Sequence, residues 1–85
     1  MKRYVTDTHP LHLHLIDQHK KMGKQARRIY NRAVHNKAII VIPTICLVEI
    51  MELTEVGKLK LKDSFRAVVK KLPESFPIYE LMLRR

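Results

Sequence analysis

With 85 residues, the chain has room for one domain and a limited core, because a chain this small buries only about 60 to 65% of the surface it exposes when unfolded. A composition 46% apolar and 29% charged, with two glycines, excludes a disordered polyelectrolyte, and a single cysteine excludes an intrachain disulfide. Seventeen Lys and Arg against eight Asp and Glu give a formal charge of +9, which favours an anionic partner, above all a nucleic acid, and is silent on fold.

The chain opens with Arg3, Tyr4, Val5 and Thr6, β-formers that predict a short strand. Asp7 ends it. Asp7 or Thr8 can cap the next segment, and Pro10 suits a first helical turn. Leucines at 11, 13 and 15 alternate like a strand, but the cap and the proline favour a helix over 9–18. A second helix is predicted over 24–36. There Ala26, Ile29, Tyr30, Ala33 and Val34 form one stripe, and Asn36 or Lys37 supplies a stop.

Residues 38–42, Ala-Ile-Ile-Val-Ile, read as a strand buried on both faces, as in parallel sheets. Pro43 and Thr44 close the strand and open a third helix that reaches Val56 and stops at Gly57. Cys46 lies among Ile45, Leu47 and Val48 and is expected to be a small buried hydrophobe. The alternation Lys58-Leu59-Lys60-Leu61-Lys62 suits an extended stretch or a surface loop. Asp63 or Ser64 caps a fourth helix over 65–72, and Pro73 ends it. A third strand over 76–79 and the start of another helix over 79–85 complete the order. No apolar run approaches the ~20 residues of a membrane span and no signal-peptide core succeeds the basic start. The expected location is the cytoplasm.

In an open parallel sheet, ligands gather beyond the carboxyl ends of the strands. Asp7 holds that place after the first strand. Glu49 lies early in the helix after the second, amid Ile45, Cys46, Val48, Ile50 and Leu53, where a carboxylate is costly unless paired or metal-bound. Two hard oxygen donors there would suit Mg²⁺ or Mn²⁺. The plainer alternatives are that Asp7 only caps a helix and that Glu49 only pairs with a lysine. Of the histidines, His12 and His19 are spaced to share a helical face, but no cysteine pair or HExxH pattern supports a zinc site. Solvated or stacked histidines are the expectation. The basic runs Lys20 to Arg28, Lys58 to Lys62 and Lys70–Lys71 suit either a solvated surface or a phosphate backbone.

Three short motifs stand in order: Asp7-Thr8-His9 after the first strand, Glu49-Ile50 inside the third helix, and Gly57-Lys58-Leu59 after it. In this order the chain resembles the PIN domain of the VapC-type toxin ribonucleases. The resemblance implies an α/β, PIN-like three-layer fold with a parallel sheet. It also implies an Mg²⁺- or Mn²⁺-dependent endoribonuclease, the toxin of a toxin–antitoxin pair. Asp7 and Glu49 would be the catalytic, metal-holding acids, Glu49 buried, with Thr8 a supporting partner of Asp7. Implied partners are RNA and a cognate antitoxin, and a homodimer is a further expectation. Family members are longer and draw further acids from their carboxyl half. Asp17 and Asp63 are poor replacements, so the fold is expected to be incomplete at the carboxyl end, the metal held weakly and the isolated chain poorly active. The alternative is a non-catalytic remnant, a basic nucleic-acid-binding or protein-interaction module.

Overall fold

A computed structural model describes residues 1–79. Strand β1 (Arg3–Val5) leads into helix α1 (Thr8–Leu15), a single 3-10 turn at His19–Lys21, and helix α2 (Lys24–Val34). Strand β2 (Ile39–Pro43) runs directly into helix α3 (Thr44–Glu55). Helix α4 (Phe65–Lys70) and strand β3 (Ile78–Tyr79) come last. The strands lie in the order β1-β2-β3, and both outer strands run parallel to β2, with Tyr4 beside Ile40 and Ile42 beside Ile78. The third strand is therefore real but shorter than predicted, and Tyr79 belongs to it. The rest of the helix predicted over 79–85 lies outside the described residues.

The prediction of a strand buried on both faces is met in β2. Ile40, Val41, Ile42 and Pro43 are all buried. Pro43 fits because it is the last strand residue, where the fixed φ of its ring also suits the position before a helix. Around β2 one apolar cluster gathers Leu11 and Leu13 of α1, Tyr30 and Ala33 of α2, Leu47 and Ile50 of α3, and Phe76. Leu59 is buried and Leu61 packs against the cluster, so the alternating lysine–leucine segment is a loop that points its leucines inward. Cys46 is buried, as expected, with its Sγ 3.7 Å from the Thr6 carbonyl.

Three helices end in the same way. Asp17, Asn36 and Gly57 each adopt positive φ just past the last turn, at 58°, 59° and 76°. In each case the next amide donates back into the helix: Gln18 to Leu13, Lys37 to Arg32 and Lys58 to Leu53. This reversed hydrogen bonding satisfies carbonyls the helix leaves free. At Asp17 it shortens α1 to Leu15, three residues before the predicted end. Asp, like Asn, tolerates the left-handed region better than most residues, so no glycine is needed there. Helix α4 stops at Lys70, two residues before the predicted end. Its cap is Ser64, which accepts a hydrogen bond from the Ala67 amide at 3.2 Å.

Ile42 has no solvent exposure and lies at the heart of the cluster. Ile42→Ala is expected to cost about 2 to 5 kcal/mol, a large share of a stability of about 5 to 15 kcal/mol. Urea unfolding followed by circular dichroism measures it.

Candidate functional site

The backbone of β1 delivers Thr6, Asp7 and Thr8 in succession to the carboxyl end of the sheet. Thr6 points inward. Its hydroxyl donates to the Asp7 carbonyl at 3.0 Å. That hydroxyl has one proton, so Tyr30 is the donor in the hydrogen bond that joins its phenol to Thr6 Oγ1. Burial pushes the Tyr30 phenol up to about 12, which keeps it protonated in this donor role. The segment before Asp7 is thus tied to α2 through Tyr30 and to α3 through Cys46 Sγ.

Asp7 occupies the position before α1 with an extended backbone, but its carboxylate accepts no capping hydrogen bond. Its side chain is exposed. It lies in an open groove of about 350 Å³ whose lining includes Tyr4, Val5, Pro10, Gln25 and Ile29. The plain capping role is accordingly absent, and among the described residues the carboxylate makes no hydrogen bond.

Glu49 departs from the expectation of a buried acid: it is exposed. Cys46, Leu47 and Ile50 form the buried stripe of α3, and Glu49 falls at the margin of that stripe, so its carboxylate reaches water. Its partner is Thr8, whose Oγ1 donates to Glu49 Oε1 at 2.7 Å. Of the two groups by which Thr8 could support Asp7, its hydroxyl and its backbone N–H, the hydroxyl serves Glu49. Thr8 and Glu49 line a depression with Glu52, Leu53, Val56 and Lys58, distinct from the groove that holds Asp7. The structure joins Thr8 to Glu49 and sets Asp7 one residue away along the chain, but the two acids do not share a cavity.

Asp17 and Asp63 take no part. Asp17 pairs with His19 at 3.4 Å. Asp63 pairs with Lys71 at 2.8 Å, and that hydrogen bond holds the Asp63 carboxyl below its ordinary range. Among the described residues no group of three His, Cys, Asp or Glu side chains could hold a metal, and no helix is long and apolar enough to cross a membrane. Asp7 and Glu49 are oxygen donors of the hard type that Mg²⁺ and Mn²⁺ take, but they open into separate depressions.

His12 and His19 do not share a helical face, because α1 ends before His19. Instead His14 stacks on Phe76, with ring centroids 5.1 Å apart and planes 12° from parallel. Its Nδ1 lies 2.7 Å from His19 Nε2. This contact is not legible in sequence, since it depends on the turn at Asp17. Comparison with family models, with curated proteins and with solved structures returned no match.

Burial, with a smaller contribution from neighbouring His19, lowers the His14 imidazole from 6.5 to about 4. As pH falls below 6.5, the unfolded chain takes up a proton that the folded chain refuses, so stability is lost between about 6.5 and about 4. Thermal melts across that range are expected to fall more steeply for the native chain than for His14→Gln, which removes the titrating ring.

Proposed function

We propose that Asp7 and Glu49 form the acidic corner of a PIN-like, three-layer fold that cleaves RNA with Mg²⁺ or Mn²⁺. The observation that carries this reading is the Thr8–Glu49 hydrogen bond at 2.7 Å. It links the motif after the first strand to the carboxylate of the third helix, two elements that are 41 residues apart in sequence. The parallel order of β1 and β2 gives further support, because Asp7 then succeeds a strand end where ligands of such sheets gather.

Thr8 fixes one oxygen of Glu49 and leaves the other open. Asp7, without a capping bond, keeps both oxygens open. Each carboxylate is exposed and can turn toward a shared ion, with the remaining positions filled by water and a phosphate oxygen. A bound divalent ion would supply positive charge to the scissile phosphodiester and lower the pKa of an attacking water. An antitoxin protein that sets a basic side chain against the same two acids would compete with the ion, and a homodimer is compatible with this arrangement.

The separate depressions that hold Asp7 and Glu49 favour a second reading, a non-catalytic basic module that binds nucleic acid or a protein partner. Incubation of the chain with RNA and Mg²⁺ or Mn²⁺, set beside Asp7→Asn and Glu49→Gln, separates the two. The nuclease reading expects weak metal-stimulated cleavage that each substitution lowers at least tenfold, a loss of ~1.4 kcal/mol in transition-state stabilisation. Cleavage unchanged in both variants overturns the site, and metal-independent RNA binding without cleavage selects the second reading.

A further inference from the structure

The charge of the chain is unevenly placed. Between Asp17 and Glu49 the sequence has no carboxylate, yet it has seven Lys and Arg residues, all of them exposed. They fall on the 3-10 turn, on α2 and just beyond it. Among the described residues the salt bridges are His19–Asp17 and Lys71–Asp63, so none of these seven cations is paired with a described acid.

Helix α2 sorts its residues by face. Successive residues turn by ~100°, so Lys24, Arg27, Arg28 and Asn31 fall within an arc of ~100°. Ala26, Ile29, Tyr30 and Ala33 take the other side. The polar four and His19 line an open depression of about 530 Å³. His19 is held there by hydrogen-bond contact with His14 and by Asp17. Every polar side chain along the arc can donate a hydrogen bond, and cations three and four residues apart would repel one another unless an anion lay between them. A row of guanidinium and ammonium groups of this kind matches the repeating charge of a phosphate backbone.

We infer that the 3-10 turn and the outer face of α2 form a binding surface for the phosphate backbone of RNA. The surface also has a direction. Ala26 and Ile29 on the opposite side of α2, with Gln25 at its flank, line the groove that holds Asp7. A strand gripped along Lys24, Arg27 and Arg28 therefore lies across the helix from that carboxylate. The choice of RNA over another polyanion rests on the nuclease reading; the surface itself does not.

Fluorescence anisotropy with a short labelled single-stranded RNA, in EDTA, tests the surface. Five phosphate contacts, from Lys20, Lys21, Lys24, Arg27 and Arg28, give a slope of about −3.5 in the log–log plot of affinity against salt. Arg27→Gln/Arg28→Gln should flatten the slope by about 1.4 and weaken binding about tenfold near physiological salt. The control Arg66→Gln/Lys70→Gln, which removes equal charge from exposed positions on α4, should change binding less than about threefold. Equal losses in both variants would overturn the surface in favour of diffuse attraction. Displacement of the RNA by polyglutamate at equal charge concentration would overturn the choice of a nucleic acid in favour of an acidic protein segment. Binding that depends on Arg27 and Arg28 but is indifferent to Asp7→Asn/Glu49→Gln supports the surface even where the cleavage assay fails, so the two proposals fail separately.

Discussion

The parallel pairing of β2 on both its edges is the constraint on which the remaining structure depends. Its amides and carbonyls are committed to β1 on one side, as in the bond from the Thr6 amide to the Val41 carbonyl, and to the segment around β3 on the other, as in the bond from the Ile42 amide to the Pro77 carbonyl. A strand placed in this way has no solvent to satisfy its polar groups, so it must be apolar in its side chains and paired in its backbone. The run of Ile, Ile, Val and Ile meets the first demand, and the two crossovers meet the second. From that central strand the chain passes straight into α3, which fixes where Glu49 can stand.

Polar residues near β2 finish the joints that apolar packing leaves open. Ser75 Oγ donates to the Ala33 carbonyl at 2.6 Å, and the Ser75 carbonyl accepts from the Ile40 amide. One residue thereby seals the end of α2 to the sheet. Thr6 does the equivalent work at the other end, between Tyr30 and the turn into α1. Both are buried, and each hydrogen bond offsets a desolvation cost of about 1 to 3 kcal/mol for the group it satisfies. Among the described residues no buried side-chain nitrogen or oxygen lacks a partner. The acids at the rim are held differently: Glu49 by a single hydroxyl, Asp7 by no capping bond.

Much of the fold is legible in the sequence because its signals are local. The apolar run of β2, the stripe of α2 and the stops at Asn36 and Gly57 all depend on residue type at short spacing. Features that depend on three-dimensional placement escape such a reading. The end of α1 at Asp17 is one, because a left-handed Asp carries a weaker signal than a glycine. Glu49 is another: it lies within an apolar stretch of sequence, but its angular position on α3 puts it at the edge of the buried stripe. For the same reason the partner of the Thr8 hydroxyl is not its neighbour Asp7 but a residue 41 positions away. The positions of the candidate residues are therefore readable, and their partners are not.

The geometry of the two crossovers bears on how the chain folds. Arg3 pairs with Ile39 and Ile42 pairs with Ile78, so each pairing closes a loop of the same length. Loop-closure entropy depends on that length and gives neither pairing an advantage. The gains are unequal, however. The first pairing aligns three residue pairs and the second aligns two. Both helices of the first crossover bring buried side chains to the core, Leu11 and Leu13 from α1 and Tyr30 and Ala33 from α2. In the second crossover α3 does so and α4 does not. At equal entropic cost, the half of the chain that ends in β2 has more to gain from closing first.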